Sequence, residues 1–239
     1  MTSLPDHTPG NLLLRSLPRE VRERAGLQEF DHDIRDVLIG AEETPAFVFF
    51  PHAQAVVSIV KTTAGGQMVE AGVVGNEGLL SVHTLLALAR APTGSEAVVQ
   101  NEGRITRGDA AVVRELFHSH EPFRNAILAY TSVLLDQVTQ NLLCNRLHSI
   151  EQRLAKWLLL MRDRVRKDEL HLTQEFLSYM LGVHRPGVSI AMQALEADGL
   201  IRHRRNSVEL RDPAGVIARS CECYRPLHEK LRTFVQAVP

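Results

Sequence analysis

Apolar residues change their period several times along this chain, and each change marks an element. Leu13, Leu17 and Val21 recur every fourth residue after a polar tail, which predicts one short helix around Leu12 to Arg24 with a single apolar stripe. From about Phe30 to Arg107 the pattern turns to β. Phe47 to Phe50 runs into Pro51, Ala55 to Val60 is rich in β-branched residues, and Gly65-Gly66 supplies a hairpin turn before Met68 to Val74. Ala97 to Val99 resumes after a loop containing Pro92 and Gly94. Short strands with turn signals at this spacing predict a small jelly-roll-like barrel. Between them lies V-G-N-E-G-L-L-S-V-H-T-L-L-A-L, from Val74 to Leu88, where Gly75 and Gly78 bracket a tight loop before a short helix, Leu79 to Leu88. Such a loop suits an anion or small ligand, and a plain structural turn fits it equally well.

Helical spacing returns after the barrel. Asp109 can cap a helix through Phe117, and Glu121-Pro122 opens a longer one. Leu128, Thr131, Leu135, Val138, Leu142 and Asn145 alternate three and four apart, a coiled-coil seam of about three heptads. The alternative is a surface helix lying against the barrel. A bend at Leu147 to Ser149 precedes a helix with Ile150, Leu154, Trp157, Leu158 and Met161 on one face, and Trp157 is expected in the C-terminal core. The basic cluster Arg162 to Lys167 suits that helix's C-terminal end and, diluted by Asp163 and Asp168, reads as a solvated surface.

The densest signals lie between Leu172 and Asp212. Thr173 is a helix N-cap, Phe176, Leu177, Met180 and Leu181 follow at helical spacing, and Gly182 stops that helix. A second helix, 184–197, starts at His184-Arg185-Pro186, where proline fits the first turn, and Asp198-Gly199 ends it. Leu200 to Arg204 and Ser207 to Arg211 flank Arg205-Asn206 as a small hairpin. Helix, tight turn, helix and basic hairpin make a winged helix-turn-helix, which lays its second helix in the DNA major groove. An ordinary helical hairpin in a core is the alternative.

Composition narrows the setting. The 239 residues are 44% hydrophobic and 23% charged, enough for a core and two domains. The net charge of -1 is unevenly spread: residues 148–239 hold 15 Lys and Arg against 11 Asp and Glu, +4, while residues 1–147 hold 12 against 17, -5. The positive half carries the helix-turn-helix, as phosphate contact requires. Met1 to Gly10 has no secretory pattern, no apolar run approaches a membrane span, and three cysteines make no secreted disulfide framework, so a cytoplasmic protein away from membranes is expected. Cys221-Glu222-Cys223, with His228 five residues on, admits a soft metal or a redox pair. With no second C-x-x-C for a four-ligand zinc site, two small residues packed in a terminal helix are the expectation, and no metal or other cofactor. Scattered histidines, among them His52, His83, His118 and His120, leave a cupin-like metal enzyme only as a remote alternative, and no P-loop, nucleophile elbow or dinucleotide fingerprint occurs. A non-enzyme is expected.

With a β-barrel, a seam helix and a winged helix-turn-helix in this order, the chain resembles the Crp/Fnr superfamily of bacterial transcription regulators from about Asn11 onward. The most specific stretches are L-T-Q-E-F-L-S-Y-M-L-G-V-H-R-P-G-V-S and G-L-I-R-H-R-R-N-S-V-E-L-R-D. C-N-R-L-H-S-I-E-Q-R-L-A-K-W-L-L and the tail S-C-E-C-Y look like one subgroup. The resemblance implies an α+β chain: a cyclic-nucleotide-binding-like β-roll (jelly roll) over 1–120, a dimerisation helix over 121–147, and a C-terminal winged helix-turn-helix over 148–239. It further implies a homodimer on a partly palindromic operator in double-stranded DNA, recruiting or blocking RNA polymerase.

Residue by residue, the superfamily's recognition helix commonly begins Ser-Arg-Glu with another Arg one turn later. Here His184, Arg185, Pro186 and Ile190 stand there, and only Arg185 is kept. Its fork suits guanine O6 and N7, Ile190 suits a thymine methyl, and Ser189 and Gln193 are adaptable polar contacts. Thr173 and Glu175 start the first helix, where phosphate contacts are expected, His184 adds a phosphate or base contact, and Arg202, Arg204 and Arg205 would set the wing on the backbone. In the sensor, Gly75, Glu77 and Gly78 form the candidate effector pocket, with Glu77 near the family's ribose-binding glutamate. Ser95-Glu96 stand where nucleotide binders carry the phosphate-holding arginine, so no binding of cyclic AMP or cyclic GMP is expected, and the identity of a small-molecule effector, or whether there is one, stays open. No cysteine precedes Cys144, which excludes the N-terminal iron–sulfur cluster of oxygen sensors. An effector-independent regulator acting mainly through protein contacts is the runner-up.

Overall fold

The computed structural model describes residues 10–87 and 92–238, so the polar tail expected at the start lies outside the described residues. The expected helix 12–24 is two. Asn11 caps α1 (Leu12–Arg15), accepting the N–H groups of Leu13 and Leu14, and extended Pro18 restarts the chain into α2 (Arg19–Arg24). The apolar stripe survives the break: Leu13 and Leu17 are buried, and Val21 packs on the same core.

Seven strands follow: β1 (Gln28–His32), β2 (Val37–Ile39), β3 (Phe47–Pro51), β4 (Val56–Thr62), β5 (Met68–Val74), then β6 (Glu96–Asn101) and β7 (Gly103–Asp109) after a single turn of helix, α3 (His83–Leu86). They form two antiparallel sheets, β1-β7-β3 and β2-β6-β4-β5, as a jelly-roll-like barrel requires. The helix expected over 79–88 is shorter because Leu80 bridges to Phe49 of β3 before α3 begins, and Leu88 lies outside the described residues.

Asp109 caps α4 (Ala110–Ser119) through the N–H groups of Ala111 and Val112, and α5 (Glu121–Leu147) carries Pro122 in its first turn. Among the described residues β5 pairs only with β4, so its other edge presents carbonyls free of strand partners, an exposure proteins normally cover. Helix α5 covers it with two side-chain amides four residues apart. Gln137 Nε2 donates to Val73 O at 3.0 Å, and Asn141 Nδ2 donates to Ala71 O at 3.0 Å.

After the bend, Ser149 and Gln152 form a reciprocal capping box at the start of α6 (Ile150–Val165). α6 is buried on almost every side, not on one face as expected. Arg153, Lys156, Asp163 and Arg164 are all buried with its apolar residues, which corrects the solvated reading of the 162–167 cluster at Asp163 and Arg164, while Arg166 and Lys167 are exposed as expected. The reason is position: α6 packs between the barrel strands and the C-terminal helices. Lys156 Nζ donates to Asn141 Oδ1 at 2.7 Å, and Arg164 donates to Gln137 Oε1 at 3.1 Å and to Glu77 Oε1 at 2.8 Å. Trp157 is buried as expected, yet it reaches the barrel, donating to Glu70 of β5 at 3.1 Å, and Ser58 donates to the same carboxylate.

The remainder comprises β8 (Glu169–His171), α7 (Gln174–Leu181), α8 (Arg185–Ala197), β9 (Ile201–Arg204), β10 (Ser207–Leu210), α9 (Pro213–Arg219) and α10 (Tyr224–Ala237). The wing gains a strand the periodicity did not reveal, since β8 pairs with β10 in the order β8-β10-β9. The last helix reaches back across the expected boundary at 148. Leu231, Phe234 and Val235 of α10 belong to the barrel core, with Phe234 beside Tyr130 of α5. Asp163 anchors the start of α10 by accepting from Tyr224 Oη at 3.0 Å and pairing with His228 Nδ1 at 2.9 Å.

Two outcomes test this junction. Arg164→Ala leaves Glu77 buried without its cation and is expected to cost roughly 3–5 kcal/mol in urea unfolding; a loss near zero would remove the pair from the list of structural supports. Burial pushes the Glu70 carboxyl up, against the hydrogen bonds from Ser58 and Trp157. Its stabilising contribution is therefore complete below the ordinary value of 4.5 and is lost as pH rises through the raised value. Glu70→Gln should abolish that loss, so unfolding free energies of variant and wild type diverge with rising pH in the variant's favour; parallel profiles would contradict it.

Candidate nucleic-acid interface

The helix-turn-helix forms where its local signals place it. Thr173 is extended and its Oγ1 accepts the Phe176 N–H at 3.2 Å, which starts α7. Gly182 ends it in the left-handed region, at φ 60°, and the Val183 N–H returns to Ser178 O at 3.0 Å. A side chain at Gly182 would also press on Val69 of β5, 3.1 Å from the position of its Cβ, so the turn between the helices sits against the barrel. His184 is extended at the N-cap of α8 without making a side-chain cap bond, and Pro186 occupies the first turn.

Helix α8 buries Val188, Ala191, Met192 and Leu195 and presents Arg185, Ile190 and Gln193 to solvent. Ile190 is 68% exposed, an unusual setting for an isoleucine on a helix that has an apolar side available. Arg202, Arg204 and Arg205 are exposed on the wing, and His184 is exposed before the helix. Glu175 is exposed and accepts from Tyr179 Oη at 3.2 Å. Thr173 is half-buried and uses its oxygen as the cap.

Ser189 is placed differently from the expectation of a free polar contact. It is half-buried and donates to Gln174 Oε1 at 2.7 Å. Gln174 Nε2 in turn meets His203 Nε2 at 3.3 Å, and His203 Nδ1 meets Glu196 Oε2 at 3.1 Å. A neutral His203 with its proton on Nδ1 satisfies both contacts, giving to Glu196 and accepting from Gln174. The Glu196 carboxyl is held below its usual range, first by the His203 backbone N–H. This relay ties α7, α8 and the wing strand together. Gln174, Glu196 and His203 were missing from the expected site because nothing in their spacing signals it.

Of the seam residues of α5, Val138 reaches towards Gly72 of β5 and Asn145 lines a cleft with Met68 and Val69, while the leucines are turned to solvent. Leu135 is 62% and Leu142 73% exposed, with Leu128 and Val138 exposed beside them. Thr131 is half-buried and returns its hydroxyl to Ile127 O at 2.7 Å, and Asn145 is exposed.

The candidate effector pocket closes on the chain itself. Glu77 is buried, with its Oε1 accepting from Arg164 and from the Gly75 N–H at 3.1 Å. A Cβ at Gly78 would fall 2.2 Å from the Tyr130 ring, so glycine here admits a side chain from α5 and not a ligand. A cleft of about 570 Å3 beside the helix-turn-helix lies elsewhere, between the Thr63 to Val69 hairpin and Gly182 to Arg185.

An exposed helix face, a relay holding it to a basic wing and a β-roll ahead of them define an α+β chain with an N-terminal β-roll and a C-terminal winged helix-turn-helix. Residues 152–219 match the family model of the Crp-like helix-turn-helix domain. Among solved structures the chain is similar to FixK2 from Bradyrhizobium japonicum, at 14% identity over 82% of this chain and 98% of that one, with a TM-score of 0.68. It is also similar to the c-di-GMP-responsive global regulator CLP from Xanthomonas campestris, at 15% identity over 81% and 99%, with a TM-score of 0.66. A CRP-family transcriptional regulator from Thermus thermophilus matches at 17% identity over 81% and 96%, with a TM-score of 0.65. No curated protein matches the chain by sequence. The chain thus carries a Crp-like helix-turn-helix domain on the fold of the Crp/Fnr transcription regulators.

Proposed function

We propose that this protein is a transcription regulator that binds a partly palindromic operator as a homodimer, reading DNA through the outer face of α8. The observation that carries this reading is the exposure of Arg185, Ile190 and Gln193 on a helix whose other side is fully packed. Arg185 reads a guanine, Ile190 meets a thymine methyl, and His184 with the wing residues Arg202, Arg204 and Arg205 holds phosphates. Ser189 positions the helix through Gln174 and does not contact DNA. Two such helices are spaced by pairing of the α5 seams, whose leucines are left exposed by the described residues of one chain.

The sensor works without cyclic AMP or cyclic GMP. Glu77, the residue nearest a ribose contact, is already paired with Arg164, and Glu96 stands near the place of a phosphate-binding arginine. That arrangement favours an input other than a nucleotide in this loop, or a regulator that needs none.

Selection of bound sites from random duplex DNA should return paired half-sites, and Arg185→Ala should lose about 1–3 kcal/mol and relax preference at one base pair per half-site. Selected sites without symmetry, or unchanged affinity, would refute the assignment. Replacing Leu135 and Leu142 by Glu removes burial of about 1.5–3 kcal/mol per leucine, so the double variant should sediment as a monomer and bind single half-sites weakly. A variant that remains dimeric would move the interface elsewhere.

A further inference from the structure

Three cysteines and a histidine that are far apart in the chain meet at the end of α5. Cys144 and His148 are one helical turn apart, on the last turn of α5 and at its C-cap, where the His148 N–H bonds Cys144 O. Cys221 and Cys223 occupy the turn between α9 and α10, ahead of the terminal helix and not within it as expected. The three cysteines are buried as a cluster of their own. One ligand atom from each of the four residues lies within 4.8 Å of every other. Cys144 Sγ and Cys221 Sγ are 3.5 Å apart, and Cys223 Sγ is 3.5 Å from His148 Nδ1.

We propose that Cys144, His148, Cys221 and Cys223 form a tetrahedral site for one structural zinc ion. Zinc bond lengths of about 2.3 Å to sulfur and about 2.0 Å to nitrogen imply tetrahedron edges near 3.8 Å and 3.5 Å, so the observed spacing needs only small side-chain adjustments. Three thiolates and one imidazole suit a borderline-soft d10 ion, and the atoms stand too close together to enclose a multi-iron cluster.

The surroundings are arranged for a ligand set. His148 Nε2 lies 3.1 Å from the Glu222 carboxylate, which accepts the Nε2–H and leaves the Nδ1 lone pair facing the sulfurs, the usual outer partner of a metal-bound histidine. Gln140 Nε2 donates to Cys223 Sγ at 3.0 Å. A zinc ion with three thiolates carries a net negative charge, and two buried cations are at hand to balance it: Lys156 acts on Cys144, and Cys144 and Cys221 act on Arg153. Packing alone would not require a carboxylate behind the histidine or cations beside the sulfurs. The ion would fasten the end of α5 to the turn between α9 and α10, and so fix the DNA-binding part against the helix that spaces it. The site stands on its own geometry, independent of the operator reading.

The full chain, purified under reducing conditions from cells supplied with zinc, should contain one zinc per chain by elemental analysis. Cobalt exchanged into it should give the intense visible absorption of a tetrahedral thiolate site. Cys223→Ser and His148→Ala should lose the stoichiometric metal. Because cysteine variants can fail to fold, Glu222→Gln is the cleaner probe: its side chain is 79% exposed, so circular dichroism should be unchanged while zinc affinity, measured against a chromophoric chelator, falls about 10–100-fold. Folded wild type that takes up neither zinc nor cobalt overturns the proposal. So do unchanged affinity in both Glu222→Gln and Cys223→Ser, an iron–sulfur chromophore, or a resting Cys144–Cys221 disulfide in protein isolated under reducing conditions.

Discussion

The open edge of β5 is the constraint on which the rest of the molecule depends. A buried sheet edge must find partners for its carbonyls, and here they come from Gln137 and Asn141 of α5. A side-chain amide both donates and accepts, so each of these residues can pass the demand on. Their oxygens take Lys156 and Arg164 from α6, and Arg164 continues to Glu77 on the far side of the barrel loop. Sheet, seam helix and α6 are thereby one hydrogen-bonded unit. Removal of a single member would strand a buried polar group on each side of it, which is why such relays are held complete or not at all.

Much of the helix-turn-helix was legible because its determinants are local. Thr173, Gly182 and Pro186 each act within a turn of their own position, through a cap, a left-handed residue and a fixed φ. The hairpin strands β4 and β5 were legible for the same reason, with Gly65-Gly66 between two β-branched runs. The junction was not. Gln137, Asn141, Lys156 and Arg164 lie in helices at positions where periodicity assigns polar residues to solvent, while their partners are distant in sequence. The cluster 162–167 was misread in part on those grounds: Asp163 and Arg164 are buried against α10 and the barrel, while Arg166 and Lys167 face solvent. Gly75 and Gly78 were ambiguous in sequence, because a glycine that admits a ligand and one that admits a tyrosine ring look alike.

The bend between α5 and α6 gains a different meaning from these contacts. Leu147 to Ser149 looks like a hinge, yet the capping box of Ser149 and Gln152 fixes the start of α6. Arg164 holds the opposite end of α6 to the barrel, and Asp163 holds α10, whose final turns return to the barrel core. Cys144 and His148 sit at the bend itself, facing the turn that leads into α10. A helix secured at both ends cannot swing freely about its first residue. In this arrangement the angle of the helix-turn-helix is set by the buried polar contacts of the whole junction and not by a loose linker.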